Sequence, residues 1–251
     1  MKKLGFGFMR LPLLDKEESH VDLEQVKQMV DLFMKRGFTY FDTAYVYHNG
    51  QSEKFLKQAL VDRYPRDSFT IATKLALFNP NVDKAKQESM FNEQLNNLGV
   101  SYIDYYLIHN INKERVPLID RLDTFNYLKQ LKAEGKIKHL GFSFHDKPEL
   151  LEEVLKSHPE TDFVQLQINY IDWLNPVVES KACYEIAKKY HKPVVVMEPI
   201  KGGTLVNLPT KAADILKNTN PTASLASWAI RFAASLDDVF MVLSGMSNLQ
   251  Q

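Results

Sequence analysis

Short apolar runs and longer segments of helical period alternate along the whole chain. In residues 22–34, for example, Val26, Met29, Val30 and Phe33 recur at a spacing that places them on one face of a helix. The apolar runs between such segments are rich in β-branched and aromatic residues, which favour strands. The pattern therefore predicts a regular alternation of strands and helices.

Eight strands and seven helices follow from this pattern. The predicted strands are residues 4–9, 39–42, 69–74, 103–109, 139–144, 163–168, 193–197 and 239–243. The predicted helices are residues 22–34, a segment that begins at about residue 52, and residues 83–98, 118–134, 147–157, 177–190 and 221–235. Each strand except the last is thus followed by a helix.

The predicted strands are almost continuously apolar, as parallel strands covered on both faces by helices require. Eight strands in strict alternation with helices over 251 residues predict a single α/β domain, residues 1–251, folded as a (β/α)8 TIM barrel. The alternative is an open, doubly wound sheet. That fold usually shows a glycine fingerprint after its first strand, whereas Gly5 and Gly7 are followed by no third glycine and no early helix.

The sequence ends at Gln251, shortly after the eighth predicted strand. An eighth helix would normally cover that strand, and an uncovered parallel strand would expose apolar surface to water. We therefore expect the sequence to be C-terminally incomplete, with the last helix and C-terminal segment of the barrel missing.

Charge and cysteine content narrow the class of protein. Lysine and arginine together number 31, as do aspartate and glutamate, so no net field favours nucleic acid or an anionic membrane as partner. The single cysteine, Cys183, can form no internal disulfide and offers no pair of metal ligands. No apolar run is long enough for a signal peptide or a membrane span. We expect a cytoplasmic protein without a bound metal, and the sequence leaves its oligomeric state open.

Polar side chains with complementary proton chemistry stand at the predicted C-terminal ends of three neighbouring strands. They are Asp42, with Tyr45 and Tyr47 just beyond it, Lys74 and His109. In a TIM barrel these strand ends meet at one mouth, where catalytic groups lie. Taken singly, each residue could equally be an ordinary turn, capping or surface residue. Their joint occurrence favours a common site.

This combination suits the delivery of a proton to a carbonyl oxygen. A tyrosine has a pKa of ~10, and a nearby lysine ammonium would stabilise the phenolate and lower that pKa. An aspartate would keep the lysine charged and oriented, and a histidine would donate a hydrogen bond to the substrate oxygen. Reduction of the carbonyl also needs a hydride donor. Because the sequence has no flavin or metal signature, we expect a nicotinamide cofactor.

Several segments of the chain match the motifs of one known family, in the same order. They are Phe41-Asp42-Thr43-Ala44 followed by Tyr47, Thr73-Lys74, residues 104–109, residues 135–143, and Gly202-Gly203 after Pro199. On these segments the chain resembles the aldo-keto reductase superfamily. The resemblance implies that the catalytic tetrad of that family corresponds to Asp42, Tyr47, Lys74 and His109. Tyr47, and not Tyr45, would then protonate a small-molecule aldehyde or ketone as it is reduced to an alcohol.

The resemblance also implies a nucleotide cofactor that lies across the barrel mouth without a Rossmann domain, and it favours NADP(H) over NAD(H). Ser143 and Gln165 would hold the nicotinamide carboxamide, with Asn169 nearby. The loop that begins at Pro199 would wrap the pyrophosphate, where backbone N–H groups and Lys201 suit an anion. The implied cofactor-binding residues, of which the last three lie at the adenosine end, are Ser143, Gln165, Asn169, Met197, Pro199, Ile200, Lys201, Gly202, Gly203, Gly245, Ser247 and Asn248.

The chain departs from the family's common pattern at three positions. Met197 stands where many members place an aromatic ring against the nicotinamide, Phe144 where asparagine often follows the serine, and His48 where glycine often follows the tyrosine. Residues 141–145 and 197–203 resemble one bacterial and archaeal branch in particular. In that branch a ferredoxin-like segment with iron–sulfur clusters often follows the barrel. Here such a segment would have to follow the residues of the present sequence.

Two other functions stay open beside carbonyl reduction. Some relatives keep the fold and the tetrad but act as cofactor-sensing subunits that regulate a partner protein. The other function is electron transfer through an appended iron–sulfur segment. Turnover on a panel of carbonyl compounds would separate a reductase from a sensing subunit.

Overall fold

The computed structural model describes residues 2–251, and its centre is a closed barrel of eight parallel strands. The strands pair in chain order, and the pairing of the first with the last closes the barrel. The strands are β1 (Leu4–Gly7), β2 (Tyr40–Asp42), β3 (Thr70–Leu75), β4 (Ile103–Ile111), β5 (Ile137–Phe144), β6 (Phe163–Gln167), β7 (Val194–Met197) and β8 (Val239–Gly245). The predicted TIM barrel is confirmed. The open doubly wound sheet is wrong, because such a sheet would leave two edge strands unpaired.

Helices form the outer layer of the barrel. They are α1 (Leu23–Lys35), α2 (Ser52–Leu56), α3 (Lys84–Leu98), α4 (Val116–Leu122), α5 (Thr124–Ala133), α6 (Pro148–Ser157), α7 (Ser180–Lys189), α8 (Thr210–Thr219) and α9 (Leu225–Ala234). Two of them begin at aspartate caps. The side chain of Asp22 accepts a hydrogen bond from the N–H of Gln25, and that of Asp83 accepts one from the N–H of Lys86.

The helices differ from the prediction in two places. Residues 118–134, predicted as one helix, belong to α4 and α5, because Asp123 between them adopts a left-handed conformation with a φ of 56°. The sequence pattern also does not predict α8. It is an additional helix before α9, between β7 and β8, where the alternation of strands and helices calls for one helix.

Apolar side chains from different strands pack together inside the barrel. Tyr40, Phe163, Val195 and Met241, which come from β2, β6, β7 and β8, belong to one buried cluster. Gly141 on β5 makes room for this packing, because a β-carbon there would lie 2.5 Å from the Phe163 ring. A larger apolar cluster lies between strands and helices. The filled interior confines polar chemistry to the ends of the barrel.

The described residues, 2–251, hold neither a candidate membrane span nor a candidate metal cluster. None of their helices combines the length and the apolar character needed to cross a membrane. They contain no group of three or more histidine, cysteine, aspartate or glutamate side chains that could hold a metal ion. Cys183 is a buried free thiol, and burial raises its pKa to about 12.

His48 ties the loop after β1 to the loop after β2. Its Nε2 accepts a hydrogen bond from the N–H of Leu11 at 3.4 Å, and its Nδ1 lies 2.7 Å from the carbonyl oxygen of Glu18, to which it donates. Its φ of 49° is a left-handed conformation that costs a residue other than glycine about 1–2 kcal/mol. The two hydrogen bonds hold His48 in this conformation.

Candidate active site

Four side chains predicted as a tetrad meet at the C-terminal mouth of the barrel. Asp42 ends β2, Lys74 lies in β3 and His109 in β4, while Tyr47 is in the loop after β2. The Nζ of Lys74 lies 2.6 Å from Oδ1 of Asp42 and 5.0 Å from the centroid of the Tyr47 ring. The rings of Tyr47 and His109 meet edge to face with centroids 5.8 Å apart. The structure thus brings all four predicted residues together.

Lys74 is the fully buried centre of this group. Its Nζ donates hydrogen bonds to Oδ1 of Asp42 and, at 2.7 Å, to the carbonyl oxygen of Thr43. Burial lowers the pKa of Lys74, but the neighbouring Asp42 and Tyr47 outweigh it, so that the pKa is raised above its ordinary value. Burial also raises the pKa of Asp42, against the influence of Lys74. Lys74 therefore carries its proton at neutral pH.

The net pKa shift of Tyr47 is opposite to the direction expected from the lysine alone. Burial raises its pKa above the ordinary value of 10.0, and the positive charge of Lys74 offsets only part of this shift. Asp42 and Glu198 add negative charge that also favours the neutral phenol. Tyr47 is therefore protonated at neutral pH, as a proton donor must be before it acts.

His109 is neutral at physiological pH. Burial lowers its pKa well below 6.5, and the positive charges of Lys74 and Arg115 lower it further. Its Nδ1 is buried and has no hydrogen-bond partner among residues 2–251. The ring also lies against Phe78, with centroids 5.0 Å apart. A neutral imidazole keeps one N–H with which to hydrogen-bond a substrate oxygen.

A buried polar network that the sequence pattern does not reveal supports β3 from behind. The carboxylate of Glu53 accepts hydrogen bonds from Oγ1 of Thr73 and Nε2 of Gln94, each at 2.7 Å. Gln94 also donates to the carbonyl oxygen of Lys74 at 3.1 Å and accepts from the hydroxyl of Tyr106 at 2.6 Å. The network connects α2 and α3 to the backbone of the catalytic lysine candidate. The sequence does not predict this network, because it does not show that Glu53 is buried in the folded protein.

The residues predicted to hold the nicotinamide lie on adjacent strands of the mouth. Oγ of Ser143 accepts a hydrogen bond from the N–H of Asn110 at 2.7 Å, so this hydroxyl also shapes the end of β4. Gln165 points its Nε2 at the sulfur of Met197, 3.5 Å away. The Oε1 of Gln165 is buried and finds no partner within the described part of the chain. This oxygen is an acceptor that a bound ligand could satisfy.

Asn169 and Lys201, two further predicted cofactor residues, are both engaged by Asp172. The Nδ2 of Asn169 donates to Oδ2 of Asp172 at 2.8 Å, and Lys201 forms an ion pair with Oδ1 of the same carboxylate. Burial would raise the pKa of Asp172, but Lys201, Asn169 and Gln167 outweigh it and lower the pKa. In this structure the two side chains therefore join the loops after β6 and β7.

The remaining predicted cofactor residues lie in two exposed loops on neighbouring strands. In the loop after β7, Gly202 and Gly203 have φ values of 61° and 94° and are exposed. A β-carbon at Gly203 would contact nothing within 4 Å, so this backbone is open to a large ligand. The rest of the set is a buried Pro199, a partly buried Ile200, an exposed Gly245, an exposed Ser247 and a partly buried Asn248.

Arg10 is a candidate that sequence analysis misses, and it stands between these two loops. A β-carbon on Gly202 would lie 3.4 Å from a guanidinium nitrogen of Arg10, and one on Gly245 would lie 3.5 Å from its Cβ. Arg10 follows β1, which pairs with β8 when the barrel closes. The sequence feature that could have identified Arg10 is its position just after a predicted strand, and so at the same mouth as the tetrad.

Two cavities lie beside the tetrad rather than on it. A cavity of 360 Å³ is lined in part by His145 and Cys183. Another, of 340 Å³, is lined in part by Tyr45 and Phe78. None of the four tetrad residues lines either cavity. The distances between their side chains, and not a cavity, identify the tetrad as a candidate site.

Comparison with known proteins decides the family. The model of the aldo/keto reductase family matches residues 3–251. The chain belongs to this family. The match runs across every strand of the barrel and includes the tetrad and both exposed loops.

Two relatives illustrate how similar the chain is to known proteins. The chain is 26% identical over 219 residues to the 9,11-endoperoxide prostaglandin H2 reductase of Trypanosoma cruzi, covering 87% of this chain and 66% of that protein. It is 30% identical over 192 residues to a Glycine max protein named "Probable aldo-keto reductase 1", covering 71% of this chain and 51% of that protein. The chain thus spans about half to two thirds of the length of these relatives.

Solved aldo-keto reductase structures share the barrel. The holo form of an aldo-keto reductase from Bacillus halodurans superposes with a TM-score of 0.76 at 25% identity, covering 99% of this chain and 83% of that one. An aldo/keto reductase from Klebsiella pneumoniae, solved with NADP and acetate, gives 0.77 at 17% identity, covering 100% and 83%. At that lower identity the likeness concerns the fold alone.

Proposed function

We propose that this chain reduces an aldehyde or ketone carbonyl to an alcohol, with Tyr47 as the general acid. The observation that carries the proposal is the position of Lys74, buried between the carboxylate of Asp42 and the phenol of Tyr47. A buried ammonium aimed at a phenol prepares that phenol to lose a proton. The edge-to-face contact of Tyr47 with His109 gives two donors around one point where an oxygen would sit.

Each member of the tetrad has a distinct part in this reaction. Neutral His109 donates a hydrogen bond to the substrate oxygen and polarises the carbonyl. As negative charge grows on that oxygen, Tyr47 transfers its phenolic proton to it. Lys74 stabilises the resulting phenolate, and Asp42 keeps Lys74 charged and in place. A proton from solvent then restores Tyr47 for the next turnover.

The mouth of the barrel fits NADP(H), the cofactor that we propose. The unsatisfied Oε1 of Gln165 suits the carboxamide N–H of a nicotinamide, and Met197 would lie beside the ring. Exposed Gly202 and Gly203 let backbone N–H groups approach phosphate oxygens, with Arg10 alongside as a positive charge. When bound, NADPH supplies the hydride that reduces the carbonyl carbon. Structures of family members from Klebsiella pneumoniae hold NADP or NADPH, which supports this choice over NAD(H).

The replacement Tyr47→Phe tests the proposal, with Tyr45→Phe as its matched control. The hydroxyl of Tyr45 is engaged by Glu93 at 2.5 Å, outside the tetrad. We expect Tyr47→Phe to lower kcat by about 10²–10⁴ on a panel of carbonyl compounds while NADPH still binds. Tyr45→Phe should keep near-normal turnover. Near-normal turnover in Tyr47→Phe would overturn the assignment, and nucleotide binding without turnover by the wild-type protein would favour a cofactor-sensing subunit.

A further inference from the structure

Arg115 brings a positive charge close to His109 of the tetrad. It immediately precedes α4, and its Cζ lies 4.7 Å from the centroid of the Phe78 ring. The same ring lies 5.0 Å from that of His109. The guanidinium also donates to the carbonyl oxygen of Asn110, directly after His109, at 3.4 Å. Arg115 and His109 thus share one aromatic wall.

The guanidinium of Arg115 forms no ion pair with a carboxylate among residues 2–251, although it is partly buried. Another partly buried arginine does form such a pair: Arg66 with Asp104 at 2.6 Å. Partly desolvated guanidinium groups favour a carboxylate or phosphate partner, with which they make two parallel hydrogen bonds. The part of the chain that the structure describes supplies no such partner to Arg115.

The charge of Arg115 also acts on the histidines of the mouth. After burial, it is one of the causes that lower the pKa of both His109 and His145. Asp146, the acid that follows His145, does not compensate this charge by pairing with it. Its oxygens accept hydrogen bonds from the backbone N–H groups of Lys113 and Lys147, at 2.7 and 2.8 Å. The positive charge of Arg115 therefore acts on two neutral imidazoles.

We propose that Arg115 binds a carboxylate on the carbonyl substrate, so that the preferred substrates are oxo acids. This inference rests on the proposed carbonyl reduction and names the substrate class of the same site. The reacting oxygen lies at Tyr47 and His109, the carboxylate at Arg115, and the body of the substrate packs on Phe78, whose side chain is 40% exposed. A neutral carbonyl compound of the same shape would lose the charge-assisted hydrogen bonds to the guanidinium.

A pair of matched aldehydes tests this specificity: 4-formylbenzoate and its methyl ester, which differ in the charge far from the reacting carbon. We expect the wild-type protein to reduce the acid with a kcat/KM at least about tenfold above that of the ester, the effect of one charge-assisted hydrogen bond. Arg115→Met should remove this preference and leave kcat/KM for the ester within about twofold. Methionine keeps an unbranched chain that still packs on Phe78, and an unchanged Tm would confirm that the variant folds.

Lys113→Met is the control, because it removes one positive charge from an exposed side chain two residues away. It should keep the preference for the acid. Equal losses for acid and ester in Arg115→Met, or no preference in the wild type, would overturn the inference while leaving carbonyl reduction intact.

Binding of benzoate, which has no reducible carbonyl, separates the two proposals. We expect the wild-type protein to bind benzoate more tightly than benzamide by calorimetry, and Arg115→Met to lose that difference. If neither aldehyde is reduced but benzoate binding depends on Arg115, the carbonyl reduction fails and the carboxylate site stands. Benzoate binding that is unchanged in Arg115→Met would overturn the carboxylate site.

Discussion

The Nζ of Lys74 and the Oδ1 of Asp42 lie 2.6 Å apart at the mouth of the barrel, where the side chains are 0% and 5% exposed. Both charges are out of contact with bulk water, so each depends on the other for compensation. Removing one partner of a buried pair leaves an uncompensated charge and costs far more than loss of a surface pair. The contact between Lys74 and Asp42 therefore contributes both to the stability of the barrel and to the proposed chemistry.

Asp42→Asn is expected to lower the free energy of unfolding by about 3–5 kcal/mol, because Lys74 would remain buried without a counter-charge. Urea unfolding followed by circular dichroism measures the change. Asp62→Asn is the matched control: Asp62 pairs with Lys57 at 2.7 Å, but the two side chains are 46% and 36% exposed. The control should cost less than about 1 kcal/mol. Equal costs for the two variants would contradict the importance assigned to burial.

The kcat/KM for reduction should not change near pH ~6.5, where a histidine with an ordinary pKa would gain or lose its proton. Because the pKa of His109 is lowered well below 6.5, the imidazole stays neutral as the pH falls through that value. Because the pKa of Tyr47 is raised above 10.0, the phenol stays protonated as the pH rises toward that value. We expect kcat/KM for a neutral aldehyde to be level between about pH 6 and 9. An inflection near 6.5 that disappears in His109→Asn would show instead that His109 titrates normally.

Most of the barrel could be predicted because its strands are buried on both faces and are therefore read as apolar runs. The two misjudged regions have physical reasons. Asp123 breaks a segment of helical period through its own left-handed backbone, which the apolar pattern does not record. α8 is a second helix between β7 and β8, and the strict alternation of strands and helices predicts one helix there.

The sequence predicts those residues of the candidate site that stand at the ends of predicted strands. Asp42, Lys74 and His109 follow apolar runs, but the pKa direction of Tyr47 depends on how deeply the folded chain buries its phenol. The pairing of Lys201 with Asp172 likewise requires two loops to meet in space. Such contacts between distant segments have no counterpart in local sequence pattern.

Gln94 should matter to the site although it contacts none of the reacting groups. Gln94→Leu would leave the carboxylate of Glu53, the hydroxyl of Tyr106 and the carbonyl of Lys74 without the hydrogen bonds that they now share. We expect a loss of about 2–4 kcal/mol in the free energy of unfolding, since buried polar groups without partners are costly.

Gln58→Leu provides the comparison for this variant, because Gln58 is exposed and bonds only to the Lys54 carbonyl within the described residues. Its cost should stay within about 0.5 kcal/mol. Chemical denaturation of both variants under the same conditions gives the two values. A small loss in Gln94→Leu would mean that the network around Glu53 rearranges at little cost.

Arg10 is expected to bind the phosphates of NADPH, a prediction that depends on the proposed cofactor. Its guanidinium stands beside Gly202 and its aliphatic chain beside Gly245, between the two exposed loops of the mouth. A charge-assisted hydrogen bond to phosphate is worth about 1.5–3 kcal/mol, so Arg10→Met should raise the Kd for NADPH about tenfold or more. Fluorescence titration of the nucleotide gives Kd without turnover. Lys16→Met removes the same charge from an exposed position in the same loop and should leave Kd nearly unchanged. Equal Kd values for the two variants would place the phosphates away from Arg10.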